Sequence, residues 1–261
     1  MGELRYDEEA TKKLLAMYVT PDVIEQRRQF LRALNPQEGE NVLDVGSGPG
    51  FLAAEIAEVT GSAGSVHGID VSEPMVDLAR HHCAQLPWVT FNQADATQLP
   101  SSDNNFDAAI STQVLEYVAD VDAALAEIHR VLRPAGRIVV VDTDWDSIVW
   151  HSSNRNRMDR VLTAWEEHAT DPYLPRTLSS RLVGAGFNVE LQKLVPIFNP
   201  CFDQNTYSNR LIDLIVSFVS GRADISGDEA QNWADELRKN TGDGQYFFSL
   251  NRYLFLAVKR K

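Results

Sequence analysis

"VLDVGSGPG", Val42 to Gly50, places three glycines within five positions directly after a run of strand-forming residues. A strand that ends in such a turn before a helix lets backbone N–H groups and the helix N-terminus approach a ligand closely, because glycine adds no side chain and tolerates positive φ. The dinucleotide fingerprint GxGxxG, counted from Gly46, requires glycine at position 51, where the chain carries Phe51. An NAD-dependent oxidoreductase is therefore the disfavoured reading. What stands is GxGxG at Gly46, Gly48 and Gly50, with Asp44 in the strand before it and Asp70 closing the next strand. An acid at that second strand end can accept both hydroxyls of a ribose, a geometry shared by several nucleoside cofactors. Asp44 reads as an acid capping the amides of the loop.

Outward from the loop, strand and helix alternate. "NVLDV" is followed by "FLAAEIAEV", "SVHGIDV", "EPMVDLARHHCAQL", "WVTFNQAD", "FDAAIST", "DAALAEIHRVL" and "RIVVVDTDW". Short apolar strands separated by amphipathic helices predict a doubly wound, mostly parallel α/β sheet covered on both faces. Two helical stretches precede it. Leu14, Leu15 and Tyr18 share one side of the first; Thr20 is expected to cap the second, with Pro21 in its first turn. Beyond Trp150 the pattern becomes irregular, with a helix opened by Ser226 and a capping box completed by Glu229. The expected organisation is residues 1–38 as an N-terminal helical lid, 39–150 as the cofactor-binding core, and 151–261 as the rest of the same domain with a helical acceptor-side lobe. The lid either closes over the cofactor or packs permanently on the sheet edge.

The chain's 261 residues suffice to bury a core without disulfides. Cys83 and Cys201 form no CxxC pair, and no apolar leader is visible, so a cytoplasmic protein without a membrane span is expected. The formal charge of −13 opposes polyanionic partners, since nucleic-acid binding draws on Lys and Arg neutralising phosphates. The expected partner is a small-molecule substrate, not nucleic acid, with the protein a monomer or homodimer.

"VLDVGSGPG", "VHGIDVSEPMVDLAR", "NQADATQLPSSDNNFDAAIS", "QVLEYV" and "EIHRVLRPAGRIVVVD" resemble, in order, the motifs of class I S-adenosylmethionine-dependent methyltransferases. The likeness is strongest to the branch of ubiquinone and menaquinone C-methyltransferases and natural-product methyltransferases. It implies a seven-stranded Rossmann-like sheet of order 3-2-1-4-5-7-6 with N-terminal helices and a helical insertion. It also implies S-adenosylmethionine as cofactor and S-adenosylhomocysteine as product. Gly46, Ser47, Gly48 and Gly50 would pack their backbone on the methionyl part, and Asp70 would accept the ribose hydroxyls. Val71 and Met75 would flank the adenine, with Asp95 at its amino group and Ala96 beside it. Ser111 and Gln113 would lie under the sulfonium end, and Tyr18 would close on the cofactor from the lid.

Methyl transfer from a sulfonium is a displacement with an activated donor, so positioning supplies most of the catalysis and a base is optional. O-methylation is favoured over N- or C-methylation, with His151 and Asp142 as candidate catalytic groups, and Asp144, Tyr18 and Glu116 as further candidate bases. Asp142, Asp144 and Asp146 recur at every second residue, but tandem acids in a loop are read as solvated or capping, and no metal is expected. His129 and His168 are expected on helix surfaces. Trp145, Trp150, Phe198 and Tyr207 are the candidate substrate-binding aromatics, for an apolar or aromatic acceptor; they would serve equally as a lobe's core. "STQV" stands where adenine- and glutamine-directed enzymes carry Asn/Asp-Pro-Pro-Tyr, which argues against those acceptors. The alternative in a different class is a catalytically inactive S-adenosylmethionine-binding scaffold or regulator.

Overall fold

A computed structural model describes residues 8–239 and 244–260, with side chains from residue 12 onward. The first seven residues of the expected lid lie outside the described residues. The elements run α1 (Glu8–Tyr18), α2 (Pro21–Leu34), β1 (Asn41–Val45), α3 (Phe51–Thr60), β2 (Ser65–Asp70), α4 (Glu73–His82), β3 (Val89–Gln93) and β4 (Phe106–Thr112). They continue α5 (Val121–Val131), β5 (Leu132–Trp150), α6 (Arg155–Glu166), α7 (Pro175–Gly184), β6 (Phe187–Asn199), α8 (Tyr207–Val219), α9 (Gly227–Lys239) and β7 (Phe248–Lys259).

The seven strands form one mixed sheet of order β3-β2-β1-β4-β5-β7-β6, as the motif resemblance implied. β1 pairs in parallel with β2 on one side and β4 on the other, and Val42, Leu43, Asp44 and Val45 are all buried. This is why β1 reads as a continuous apolar run rather than an alternating one. The register sets Val45 beside Ile69 and Ser111, so the carboxyl ends of β1, β2 and β4 come together. The strand order reverses at β1, and in open α/β sheets ligands bind outside the carboxyl ends at such a reversal.

The chain divides into two compact units. The first comprises residues 27–143, 173–194 and 253–260, the second residues 8–26, 144–172 and 195–252. The division passes through α2, β5, β6 and β7. Leu43, Phe106, Leu125, Ile138, Leu178 and Phe187 are core members of the first unit. The second has its own core, in which Trp145, Trp165, Ile212, Ile215, Trp233 and Phe248 take part.

The acids after "RIVVV" do not lie in a loop. β5 continues for 19 residues to Trp150. β-branched and aromatic residues in "DTDWDSIVW" favour the extended chain, and Ile148 and Trp150 are buried while Asp146 and Val149 are exposed. Thr20 also departs from expectation, since its hydroxyl donates to the carbonyl of Met17 at 2.8 Å and so finishes α1, not α2. Ser226 does cap α9, accepting from the Glu229 N–H at 3.1 Å. Among the described residues no helix is long and apolar enough to cross a membrane.

Candidate functional site: the glycine loop of the first unit

The loop between β1 and α3 folds through three left-handed glycines, with φ of 70° at Gly46, 50° at Gly48 and 81° at Gly50. Gly46 is fixed by contact as well as by dihedral, because a Cβ there would lie 2.1 Å from Cγ2 of Val114. The Ser47 N–H donates to the Ile69 carbonyl at 2.8 Å, and the Gly50 N–H to the Ser47 carbonyl at 3.0 Å, so the loop is closed against the end of β2.

Asp70 holds this junction together. Its Oδ2 accepts from the Gly48 N–H and its Oδ1 from the Ser72 N–H, both at 2.9 Å. Burial pushes its carboxyl above the usual range, against the pull of those amides. Asp44 lies deeper, 1 % exposed, and burial together with the charge of Asp70 pushes its carboxyl up to about 7. The expected capping is not seen: Asp44 Oδ2 is buried without a hydrogen-bond partner among the described residues. The Oγ atoms of Ser47 and Ser111 are in the same condition. Beneath the loop, the Cys83 thiol donates to the Gly50 carbonyl at 3.7 Å and is pushed up to about 11, by burial and then by Asp44.

The other expected cofactor residues except Tyr18 belong to the same unit. Val71 and Asp95 are exposed, whereas Met75 and Ala96 are buried. Asp95 Oδ1 accepts the Thr97 N–H and hydroxyl at 2.8 and 2.7 Å, which hold its carboxyl below the usual range. Gln113 takes a positive φ of 57° immediately after β4. Its N–H donates to the Val141 carbonyl at 2.7 Å, and its side-chain oxygen accepts from the Thr143 hydroxyl.

Asp142, a candidate catalytic group, is fully buried in β5, and its Oδ1 accepts from the Val114 and Glu116 amides at 3.2 and 3.4 Å. Glu116, also fully buried, returns the link by accepting the Thr143 N–H at 2.9 Å. The two carboxylates fix the chain that follows Gln113 rather than facing solvent. The reciprocal pairing joins positions 26 apart, and no local spacing in the sequence announces it.

The remaining candidates belong to the second unit. Tyr18 ends α1 there. Trp145, Trp150 and Tyr207 are buried members of that unit's core. Trp145 meets Trp165 edge-on at 5.6 Å, Trp150 meets Trp233 edge-on at 5.5 Å and donates to the Tyr246 hydroxyl, and Tyr207 is 3 % exposed. Phe198 is exposed and packs edge-on against Phe247. His151, expected on a loop, follows the last residue of β5 with an exposed side chain, and its N–H donates to the Phe247 carbonyl. It lies seven residues beyond Asp144, roughly 23 Å at a strand's rise per residue. His168 is not on a helix surface: it stacks on Trp165 at 3.8 Å and meets Trp145 edge-on at 4.6 Å, and burial lowers its pKa to about 4.

The sheet order, the left-handed glycine loop and the acid closing β2 define a Rossmann-like methyltransferase-type domain. A family model described as a methyltransferase domain matches residues 36–195, and the chain belongs to that family. It is 33% identical to an uncharacterized 37.1 kDa protein in transposon TN4556 of Streptomyces fradiae, over 87% of this chain and 65% of that protein. It is 36% identical to a demethylmenaquinone methyltransferase of Staphylococcus epidermidis, over 45% of this chain and 48% of that one. The chain thus spans from just under half to just under two thirds of the length of these curated relatives. Among solved structures it is similar to the [4+2]-cyclase SpnF, with a TM-score of 0.61 and 24% identity over 91% of this chain and 82% of that one, a likeness of fold alone.

Proposed function

We propose that this chain binds S-adenosylmethionine in the glycine-loop site and transfers its methyl group to a small apolar or aromatic acceptor. The observation that carries this reading is the set of buried polar atoms without partners around the loop, Asp44 Oδ2, Ser47 Oγ and Ser111 Oγ. Buried polar groups are normally hydrogen-bonded, and a cluster of exceptions beside a left-handed glycine loop fits a polar ligand that completes them. The residue set also suits a cationic nucleoside: two carboxyl groups, Asp44 and Asp70, sit at the ends of adjacent strands, next to backbone that carries no side chains.

When bound, the cofactor would supply a methyl group already activated on a positively charged sulfur. Gly46, Ser47, Gly48 and Gly50 would present backbone to the amino-acid end, and Asp70 would exchange part of its amide bonding for the ribose hydroxyls. Val71, Met75, Asp95 and Ala96 would bound the adenine, with Ser111 and Gln113 below the sulfur. Asp142 and Glu116 would act as positioning residues, holding the chain after Gln113 still while the acceptor approaches. A methyl acceptor on oxygen is favoured, in keeping with a site where positioning does most of the work.

Calorimetric titration with S-adenosylmethionine, S-adenosylhomocysteine and NAD tests the site. Binding of the first two without NAD is expected, and NAD binding alone would overturn the reading. Labelled-methyl transfer to a metabolite extract, followed by mass spectrometry, tests the reaction and names the acceptor. Cofactor binding with no labelled product would favour a scaffold or a different reaction on the same fold, as the cyclase SpnF illustrates.

A further inference from the structure

The second unit contains a buried cation with no anion beside it among the described residues. Arg252 lies in β7 and is 7 % exposed. Its Nη1 donates to Oε1 of Gln26 at 2.6 Å, and its guanidinium sits 4.9 Å from the ring centroid of Tyr207. Gln26 is itself held, its Nε2 donating to the Val195 carbonyl at 3.3 Å, so its oxygen is committed to the arginine. Arg252 Nε is buried without a partner, and Nη2 makes no hydrogen bond among the described residues. Other arginines of the same unit are paired: Arg157 with Glu236, Arg160 with Glu229 and Arg238 with Asp213. Arg252 has no such pair among the described residues.

Asp22, which α2 presents one turn before Gln26, does not fill the gap. Its Oδ1 accepts from the Val23 N–H, and its Oδ2 from the Tyr207 N–H and the Asn199 side-chain amide. Arg210, one turn along α8 from Tyr207 and therefore on the same helix face, adds a second guanidinium whose buried Nε lacks a partner. A buried charge without a counter-ion is costly, and an apolar side chain at position 252 would pack against Tyr207 without that cost. The two nitrogens that Gln26 leaves open on Arg252 form one edge of a planar fork, the shape that matches the two oxygens of a carboxylate.

We propose that Arg252, supported by Arg210, is an anion-recognition site for a small carboxylic acid, with the Tyr207 ring and the Gln26 amide setting the plane in which the carboxylate is received. The site lies wholly within the second unit and does not depend on the methyl-transfer reading.

The test is thermal melting of the whole chain titrated with sodium benzoate, with inorganic phosphate and sodium chloride as arms at equal ionic strength. Wild type is expected to gain about 3–5 °C at ten times the benzoate Kd, by mass action on the folded state. Arg252→Gln should lose that gain, and Arg252→Lys most of it, because an ammonium keeps the charge but not the fork. A larger saturable gain with phosphate would support the same cationic site and assign it to a tetrahedral oxyanion. Two-dimensional NMR of arginine Nε–H signals reads the wild type without substitution, and benzoate should shift that of Arg252. The proposal is overturned if wild type answers benzoate as it answers chloride, if Arg252→Gln keeps the full gain, or if that variant fails to fold, which would make Arg252 a member of the core. Titration of the same samples with S-adenosylhomocysteine reports separately on the cofactor site.

Discussion

The glycine-loop unit and the aromatic unit bury polar and apolar groups in opposite ways. Around the loop, small residues and strand ends leave Asp44 Oδ2, Ser47 Oγ and Ser111 Oγ buried without partners, and Asp44 is held near a pKa of 7. In the aromatic unit, Trp145 is packed with Trp165 and His168 in mutual ring contact, and Trp150 against Trp233. Buried polar atoms without partners among the described residues set the loop apart from the closed aromatic packing of the other unit. Aromatic side chains gain most from packing together, whereas a buried carboxyl gains only from a partner.

The sharpest way to break the comparison is Trp145→Ala. If Trp145 is core, the variant loses about 3–5 kcal/mol of stability, read from denaturant unfolding, while its S-adenosylhomocysteine affinity at a temperature where it stays folded is unchanged. Stability held within about 1 kcal/mol would return Trp145 to the pocket wall.

His168 comes next, through pH. Its folded pKa of about 4 lies below the usual histidine value, so the unfolded chain takes up a proton that the folded chain refuses. Stability is then fully present above about pH 6.5 and falls by roughly 3 kcal/mol as pH drops toward 4. His168→Phe should flatten this part of the melting-temperature profile; an unchanged slope would place the titration elsewhere.

At the loop, Asp70→Ala is expected to weaken S-adenosylhomocysteine binding by about 1–3 kcal/mol, the usual cost of unpaired polar groups at a buried contact. Calorimetry that finds wild-type affinity in the folded variant would move the ribose contact away from β2. The smallest effect is expected at His151, exposed after the end of β5: steady-state kinetics of His151→Ala should stay within about twofold of wild type. A loss of about 10²–10⁴-fold in kcat, the range of general-base catalysis, would bring the base back to this residue.

Most of the first unit was legible from local signals. Short apolar strands, the GxGxG turn and the acid closing β2 each follow from nearest neighbours, because glycine dihedrals and strand burial are imposed within a few residues. The extent of β5 was not legible, since "DTDWD" has the acids of a loop and the aromatics of a strand, and only pairing to the rest of the sheet decides between them. His168 was misread for a related reason. A histidine just past the end of a helix looks like a surface residue until Trp145, from a strand more than twenty positions earlier, meets it edge-on.

The sequence by itself determined the fold family and the backbone of the loop, because both are written in residue types whose backbone preferences act locally. The tertiary structure alone decided which polar atoms stay without partners, that Asp142 and Glu116 tie the chain after Gln113, and that the tryptophans are core. It also decided that Arg252 meets Gln26 and Tyr207, residues far from it in the chain, with no carboxylate paired to it among the described residues. Those outcomes depend on the sum of burial and pairing at each atom, and that sum is set by strands and helices brought together from distant positions.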